Sequence, residues 1–334
     1  MKVLLYFEQA NALRQSGIGR ALRHQKQALE SENIPYTLNE KEDFDIAHIN
    51  TNFSKSYRLL KKTKKQGKIV IVHGHSTYED FRKSFRCWKL IEPIFDFMIT
   101  RMYSHADAII TPTIYSKNLI ANYPKISCPV YDVSNGIRIE DYAYSKEKVD
   151  KYRDFFHISE KDKVIIGVGL FFERKGILDF FDVARKMPDV KFIWFGNLSK
   201  ILTQGKILRA IKKRPHNVIM PGYIDGDIIK GAFLDANLVF FPTYEETEGI
   251  VALEALASKT PLLVRDIGAF SPWLIDGYNC YKGKNNEEFV DKINYIFAHD
   301  SSLIVENGYQ TVLKRDIALI GKKLHSIYDE VSKK

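Results

Sequence analysis

The chain has 334 residues, more than one typical core holds and about right for two domains of ~150 residues each. With 45% hydrophobic and 27% charged residues, its composition excludes an intrinsically disordered chain and fits a soluble globular protein. The formal charge of +9 is concentrated between Lys55 and Lys89, where eleven Lys or Arg face only Glu79 and Asp80. Such a segment is either a solvated helix face or a patch for an anionic partner: nucleic acid, phosphate or an acidic membrane surface. Cys87, Cys128 and Cys280 are far apart without paired spacing. They offer neither a disulfide framework nor a zinc site, so a reducing compartment is expected. The opening MKVLLYFEQAN holds only a few apolar residues before Glu8 and reads as a strand, not a signal peptide. No run of 18 apolar residues exists to span a bilayer, and the expected location is cytoplasmic.

In chain order, KVLLYFE reads as a strand, SGIGRALRHQKQALES as a helix, DIAHIN as a strand and FSKSYRLLKKTKKQG as a basic helix. The strands KIVIVHGH and ADAIITPT follow, then the helix YSKNLIANY and a short strand VYDVSNGI. β-Branched runs bounded by Gly, Asp or Ser suit parallel strands covered on both faces. Near residue 145 the pattern breaks into SKEKVDKYRDFFHISEKD, charged and without a strand. It restarts with VIIGVGL, GILDFFDVARKM, KFIWFGN, NVIMPGYI, IIKGAFLDA, LVFFPT, IVALEALASK and PLLVRD. Two βα series with a polar joint predict an α/β protein of two Rossmann-like domains, residues 1–145 and 146–310. Residues 311–334 read as a C-terminal helix that packs back on the first domain. Ligands in such sheets bind beyond the carboxyl ends of the strands, so the loops there are the places to look for chemistry.

Several of these loops carry suitable residues. Ser16-Gly17-Ile18-Gly19-Arg20 opens a helix, as a phosphate-approaching turn or simply a tight strand-to-helix turn. The full GxGxxG fingerprint is absent here and at Gly167-Val168-Gly169, which counts against a nicotinamide enzyme. His73-Gly74-His75 follows a strand; either imidazole can hydrogen-bond a sugar hydroxyl or relay a proton, and either can be a packing residue. Glu173-Arg174-Lys175-Gly176 places two cations just before a helix, suited to a diphosphate or to a surface salt-bridge loop. In EETEGIVALEALASK, Glu246 precedes a helix and Glu254 falls in its second turn among apolar neighbours. A buried carboxylate there needs partners, and a vicinal diol such as a ribose would supply them. Between the two glutamates, the amides of Gly249, Ile250 and Val251 lie at the positive end of the helix, where a phosphate would sit.

Glu246 and Glu254, seven residues between them, followed by AlaLeuAla and PLLVRDIGAF, resemble the signature of retaining glycosyltransferases of family 4, which have the GT-B fold. SGIGR, VHGHST, ITPTIYSKNLI, SNGI, GxxxxRKG and PGYI extend the resemblance over nearly the whole chain. YFEQANALRQSGIGRALRHQ with HSTYEDFRKSF is similar to the bacterial glycolipid synthases that add a hexose to monoglucosyl-diacylglycerol. The resemblance implies two Rossmann-like domains facing each other across a cleft, with UDP-glucose or UDP-galactose as donor. It implies that Glu246 holds the donor hexose, Glu254 the ribose, and Lys175 with Arg174 the leaving diphosphate. His75 would contact the hexose near its transferred carbon, the Gly17–Gly19 loop would close over the phosphates, and Gly222-Tyr223-Ile224 would border the base. No cofactor or metal is expected, and no nucleic acid. The Lys55–Lys89 segment would seat the enzyme on an anionic membrane, peripheral to its inner face. The sequence departs from the family at Leu170, where an Arg is usual, at Glu248, where Phe is usual, and at Arg138, where an acid is usual. A soluble polysaccharide or protein acceptor, or a non-catalytic sugar-nucleotide-binding module, is the alternative.

Overall fold

The computed structural model describes residues 1–9 and 16–333. Residues 10–15, part of the glycolipid-synthase motif, lie outside them. The contacts divide the chain into two units: Met1–Phe81, Lys89–Gly136 and the chain from Arg315 form the first, Arg82–Trp88 and Ile137–Lys314 the second. The polar joint read near residue 145 is therefore inside the second unit. Its charged residues form the helix Lys146–Phe156, which buries Val149, Tyr152 and Phe156 on one side. The transfer of Arg82–Trp88 into the second unit has no signal in the hydrophobic pattern.

The first unit is built on six parallel strands: β1 (Val3–Tyr6), β2 (Tyr36–Thr37), β3 (Ile46–Ile49), β4 (Ile69–His73), β5 (Ala108–Thr111) and β6 (Val130–Asp132). Their order is β2-β1-β3-β4-β5-β6, so the chain reverses direction across the sheet between β1 and β3. Alternate residues feed two cores, as the twofold side-chain period of a strand demands. Val3, Leu5, Ile46 and Ile71 pack with Leu22, Ala28 and Leu29 and with Ile320, Leu324 and Ile327 of the helix Ile317–Ser332. Leu4, Ala47, Val70 and Val72 pack with Leu59, Leu60, Ile99 and Met102. The basic helix Ser54–Lys65 is fixed electrostatically at both ends. Buried Glu8 accepts from Ser56 N (2.8 Å) at its positive end, and Lys62, Lys64 and Lys65 occupy its last turn.

The second unit repeats the plan with β7 (Val164–Val168), β8 (Lys191–Phe195), β9 (Val218–Gly222), β10 (Leu238–Phe241), β11 (Leu262–Arg265) and β12 (Tyr281–Gly283). Its order, β12-β11-β10-β7-β8-β9, reverses between β7 and β10. These two strands are adjacent and parallel (Ile165 opposite Leu238), so the loops after both leave the same sheet edge side by side. That is the topological switch point at which open α/β sheets bind ligands.

A polar chain crosses the first unit's core. Tyr328 OH hydrogen-bonds His48 Nδ1 (2.7 Å), and His73 Nδ1 lies within hydrogen-bond reach of both His48 Nε2 (3.1 Å) and the Gln25 side-chain amide (2.7 Å). His73 stacks on His75 at 3.9 Å between ring centres. Burial, followed by the neighbouring His48, pushes His75 down to about 3. Burial alone pushes His48 down to about 3, and burial with its two histidine neighbours lowers His73. All three fold neutral, while the unfolded chain binds their protons near the ordinary 6.5. Stability from this cluster is therefore intact above the unfolded value and is lost as pH falls from 6.5 towards 3. Thermal melts across that range should show Tm falling with acid, and His48→Gln should flatten the fall. An unchanged slope would contradict the assignment.

Candidate active site

The switch point of the second unit carries its cations and carboxylates on two neighbouring loops. After β7, Gly169 is held by the indole of fully buried Trp194, whose Nε1 donates to Gly169 O (2.9 Å). The chain then makes a tight turn, Glu173–Lys175, closed by Gly176 in the left-handed region (φ 75°). A Cβ at Gly176 would lie 2.3 Å from Pro242 O, so only glycine brings this turn against the loop after β10. That contact sets Arg174 and Lys175 beside Glu246. Lys175 Nζ donates to Glu246 Oε1, which also accepts from Thr243 Oγ1 (2.9 Å). The ion pair is largely enclosed, with side chains 16% and 9% exposed. Arg174 O in turn accepts from Tyr244 N (2.6 Å) and Thr243 Oγ1 (3.1 Å), stitching the two loops together.

Downstream, Gly249 adopts φ 85° and begins the helix Ile250–Ala257 with no side chain to cap it. Its first-turn amides at Ile250 and Val251 sit at the positive helix end. Every residue of this helix is buried, Glu254 included at 4% exposure. Glu254 Oε1 accepts from Tyr142 OH (2.7 Å), a partner contributed by the turn Ile139–Tyr142 over a hundred residues upstream. Tyr142 carries no sequence signal for this role, since only the fold brings it to the helix. Glu248, the departure from the family's Phe, is completely enclosed and not without partners. Gly222, Tyr223 and Ile224 end β9, where Gly222 O accepts from Gly196 N (2.8 Å) in the loop after β8. Leu170 lies in the turn before Phe172, whose N donates to Leu170 O (2.6 Å).

The structure thus brings Arg174, Lys175, Glu246, Gly249, Ile250, Val251 and Glu254 together on the two loops and the helix after β10. Gly222, Tyr223 and Ile224 stand at the end of β9 in the same unit, whereas His75, Gly17 and Gly19 belong to the first unit. His75, neutral and buried, donates from Nε2 to Asn50 Oδ1 (2.8 Å), which leaves Nδ1 as an acceptor. Gly19 N donates to Ser16 Oγ (3.3 Å) as the helix cap, while a Cβ at Gly17 would meet nothing within 4 Å among the described residues. Among the described residues, no group of three or more His, Cys, Asp or Glu could hold a metal ion.

The family models agree with this architecture. Residues 22–141 match "Glycosyltransferase Family 4" and residues 148–310 match "Glycosyl transferases group 1". A processive diacylglycerol alpha-glucosyltransferase of Acholeplasma laidlawii is 51% identical over 333 residues, covering 100% of this chain and 99% of its own. The chain belongs to glycosyltransferase family 4. An alpha-galactosylglucosyldiacylglycerol synthase of Streptococcus pneumoniae is 25% identical, covering 80% of this glycosyltransferase and 70% of its own length. The fold is GT-B: HepE from Anabaena, solved with UDP and glucose, superposes with a TM-score of 0.79 at 15% identity, over 98% of this chain and 99% of that one. Sucrose-phosphate synthase from Thermosynechococcus elongatus gives 0.75 at 16% identity, over 87% and 74%.

The Lys175–Glu246 pair makes a direct prediction. Removing one partner of an enclosed ion pair strands the other charge and costs about 3 kcal/mol, or roughly 5–10 °C in Tm. Lys175→Ala should show that loss together with a fall in transfer of at least about 100-fold. Lys175→Met with Glu246→Leu should regain much of the stability and none of the transfer. A double variant less stable than the single one would contradict the pairing.

Proposed function

We propose that this glycosyltransferase moves a hexose from a UDP-sugar, with retention of configuration, to monoglucosyl-diacylglycerol at an anionic membrane surface. The observation that carries the reading is the full-length 51% identity to a diacylglycerol glucosyltransferase, taken with the ion-paired cluster at the switch point. UDP-glucose is the favoured donor: the relative at 51% identity is named for glucose, and the one named for galactose stands at 25%.

The donor would lie along the second unit's loop and helix. Glu254, oriented by Tyr142, takes the ribose diol, and the base borders Gly222-Tyr223-Ile224. The diphosphate sits against the amides of Ile250 and Val251 and the charges of Arg174 and Lys175. Glu246 accepts hydroxyls of the hexose, and its hydrogen bonds from Lys175 and Thr243 orient it. No protein nucleophile is required. The acceptor hydroxyl attacks from the face the nucleotide leaves, the bond to the β-phosphate breaks, and the departing phosphate takes the hydroxyl proton. Orientation and charge stabilisation supply the acceleration.

The acceptor side is supported by the surface of the first unit. Among the described residues no helix is long and apolar enough to cross a membrane. The helix Trp88–Tyr103 buries Ile99, Met102 and Tyr103 yet exposes Leu90 (78%), Ile94 (61%) and Phe97 (62%). Exposed apolar side chains, with the Arg101 guanidinium over the Phe97 ring and Lys61, Lys62 and Lys65 exposed in the same unit, suit shallow insertion among anionic headgroups, each cation adding ~1 kcal/mol. Two of the segment's other cations are committed within the unit, Lys64 to Asp107 (2.7 Å) and Lys68 to Asp43 (2.7 Å). The enzyme would act from the cytoplasmic side as a peripheral protein.

Purified protein given UDP-glucose and monoglucosyl-diacylglycerol in anionic vesicles should form a two-hexose lipid with an α linkage. Leu90→Asp with Phe97→Asp should abolish that product while UDP affinity is unchanged. Transfer to a soluble glycan in place of any lipid would overturn the acceptor, and no transfer at all would favour a sugar-nucleotide-binding module.

A further inference from the structure

Arg174 is held from an unexpected quarter. Its Nε donates to Ser84 Oγ (2.7 Å), a residue 90 positions upstream and only 2% exposed. Its NH1 donates to Glu245 O (3.0 Å) and lies 4.0 Å from Glu246 Oε1. NH2 makes no hydrogen bond with a described residue. Two fixed edges of a planar fork determine where the third points. Without the Ser84 contact, the guanidinium would keep one backbone anchor and the pull of the Glu246 carboxylate, and would rotate towards it.

Ser84 is itself clamped. Arg82–Trp88 docks on the second unit as a strap: Arg86 N donates to Leu202 O (3.0 Å), and Gln204 Nε2 donates to Lys83 O (3.1 Å). The Phe85 ring meets Phe172 edge-on at 4.8 Å, directly before the Glu173–Lys175 turn. At either end of the strap, Lys83 (φ 58°) and Cys87 (φ 57°) occupy the left-handed region. Non-glycine residues are strained there and persist only where the surroundings over-determine them.

We infer that Ser84 is a positioning residue for the donor diphosphate, acting through Arg174. The inference rests on the reading of Arg174 as a diphosphate ligand. It adds that the ligand's geometry is set by a strap that is continuous in sequence with the apolar helix proposed to meet the membrane.

The test is a double-mutant cycle on the full chain, read by the dissociation constant of UDP, which needs no turnover. Ser84→Ala should weaken UDP binding by about fivefold, and Ser84→Thr, which keeps a hydroxyl acceptor, should restore it to within about twofold. In an Arg174→Gln background, Ser84→Ala should add nothing. A residue that merely stabilised the strap would weaken binding in both backgrounds and would be tracked by Tm. Wild-type affinity in Ser84→Ala, or an undiminished effect in Arg174→Gln, would overturn the inference and leave Arg174 in place. Wild-type affinity in Arg174→Gln alone would remove the diphosphate role of the cation, and that of Ser84 with it.

Discussion

The contact between Gly176 and Pro242 O is the constraint on which the second unit's site depends. β7 and β10 are neighbours in the sheet but 70 residues apart in sequence, and their loops converge only because no Cβ stands between them. Convergence brings Lys175 to Glu246, and each then solves the other's problem. A carboxylate enclosed to this degree needs a cation, and a lysine placed among aromatic rings and backbone needs an anion. The protein thus holds Lys175 and Glu246 as a pair at the switch point. On the proposed placement of the donor, its diphosphate would meet side chains whose positions were fixed during folding, which is what electrostatic preorganisation requires.

The two units accommodate buried polar groups in different ways. In the second, Lys175 and Glu246 are enclosed as a hydrogen-bonded pair. In the first, the loop after β4 presents His75 from a cluster of imidazoles that burial keeps neutral. A neutral imidazole is a hydrogen-bonding group for a hydroxyl and contributes no charge beside a sugar.

Much of this was legible in the amino-acid order. The strands announced themselves because both faces are buried, which writes continuous apolar runs. Glu254 stood out because a carboxylate among apolar neighbours demands an explanation, and Glu246 through its spacing from Glu254. What could not be read depends on contacts between distant segments. Tyr142 reaches Glu254, Ser84 reaches Arg174 and Tyr328 reaches His48 only in three dimensions, and none carries a local pattern. β2, two residues long, was too short to show a period. The joint near residue 145 looked like a linker because its helix is charged on the side away from the core; the apolar stripe of Val149, Tyr152 and Phe156 was the signal that could have placed it in the second unit.

The most direct test of the account is a crystal structure of the protein with UDP-glucose bound. The account predicts the ribose hydroxyls on the Glu254 carboxylate, the diphosphate between the amides of Ile250 and Val251 and the Arg174–Lys175 cations, and the glucose on Glu246. A ribose placed away from Glu254, or a diphosphate out of reach of both cations, would contradict it.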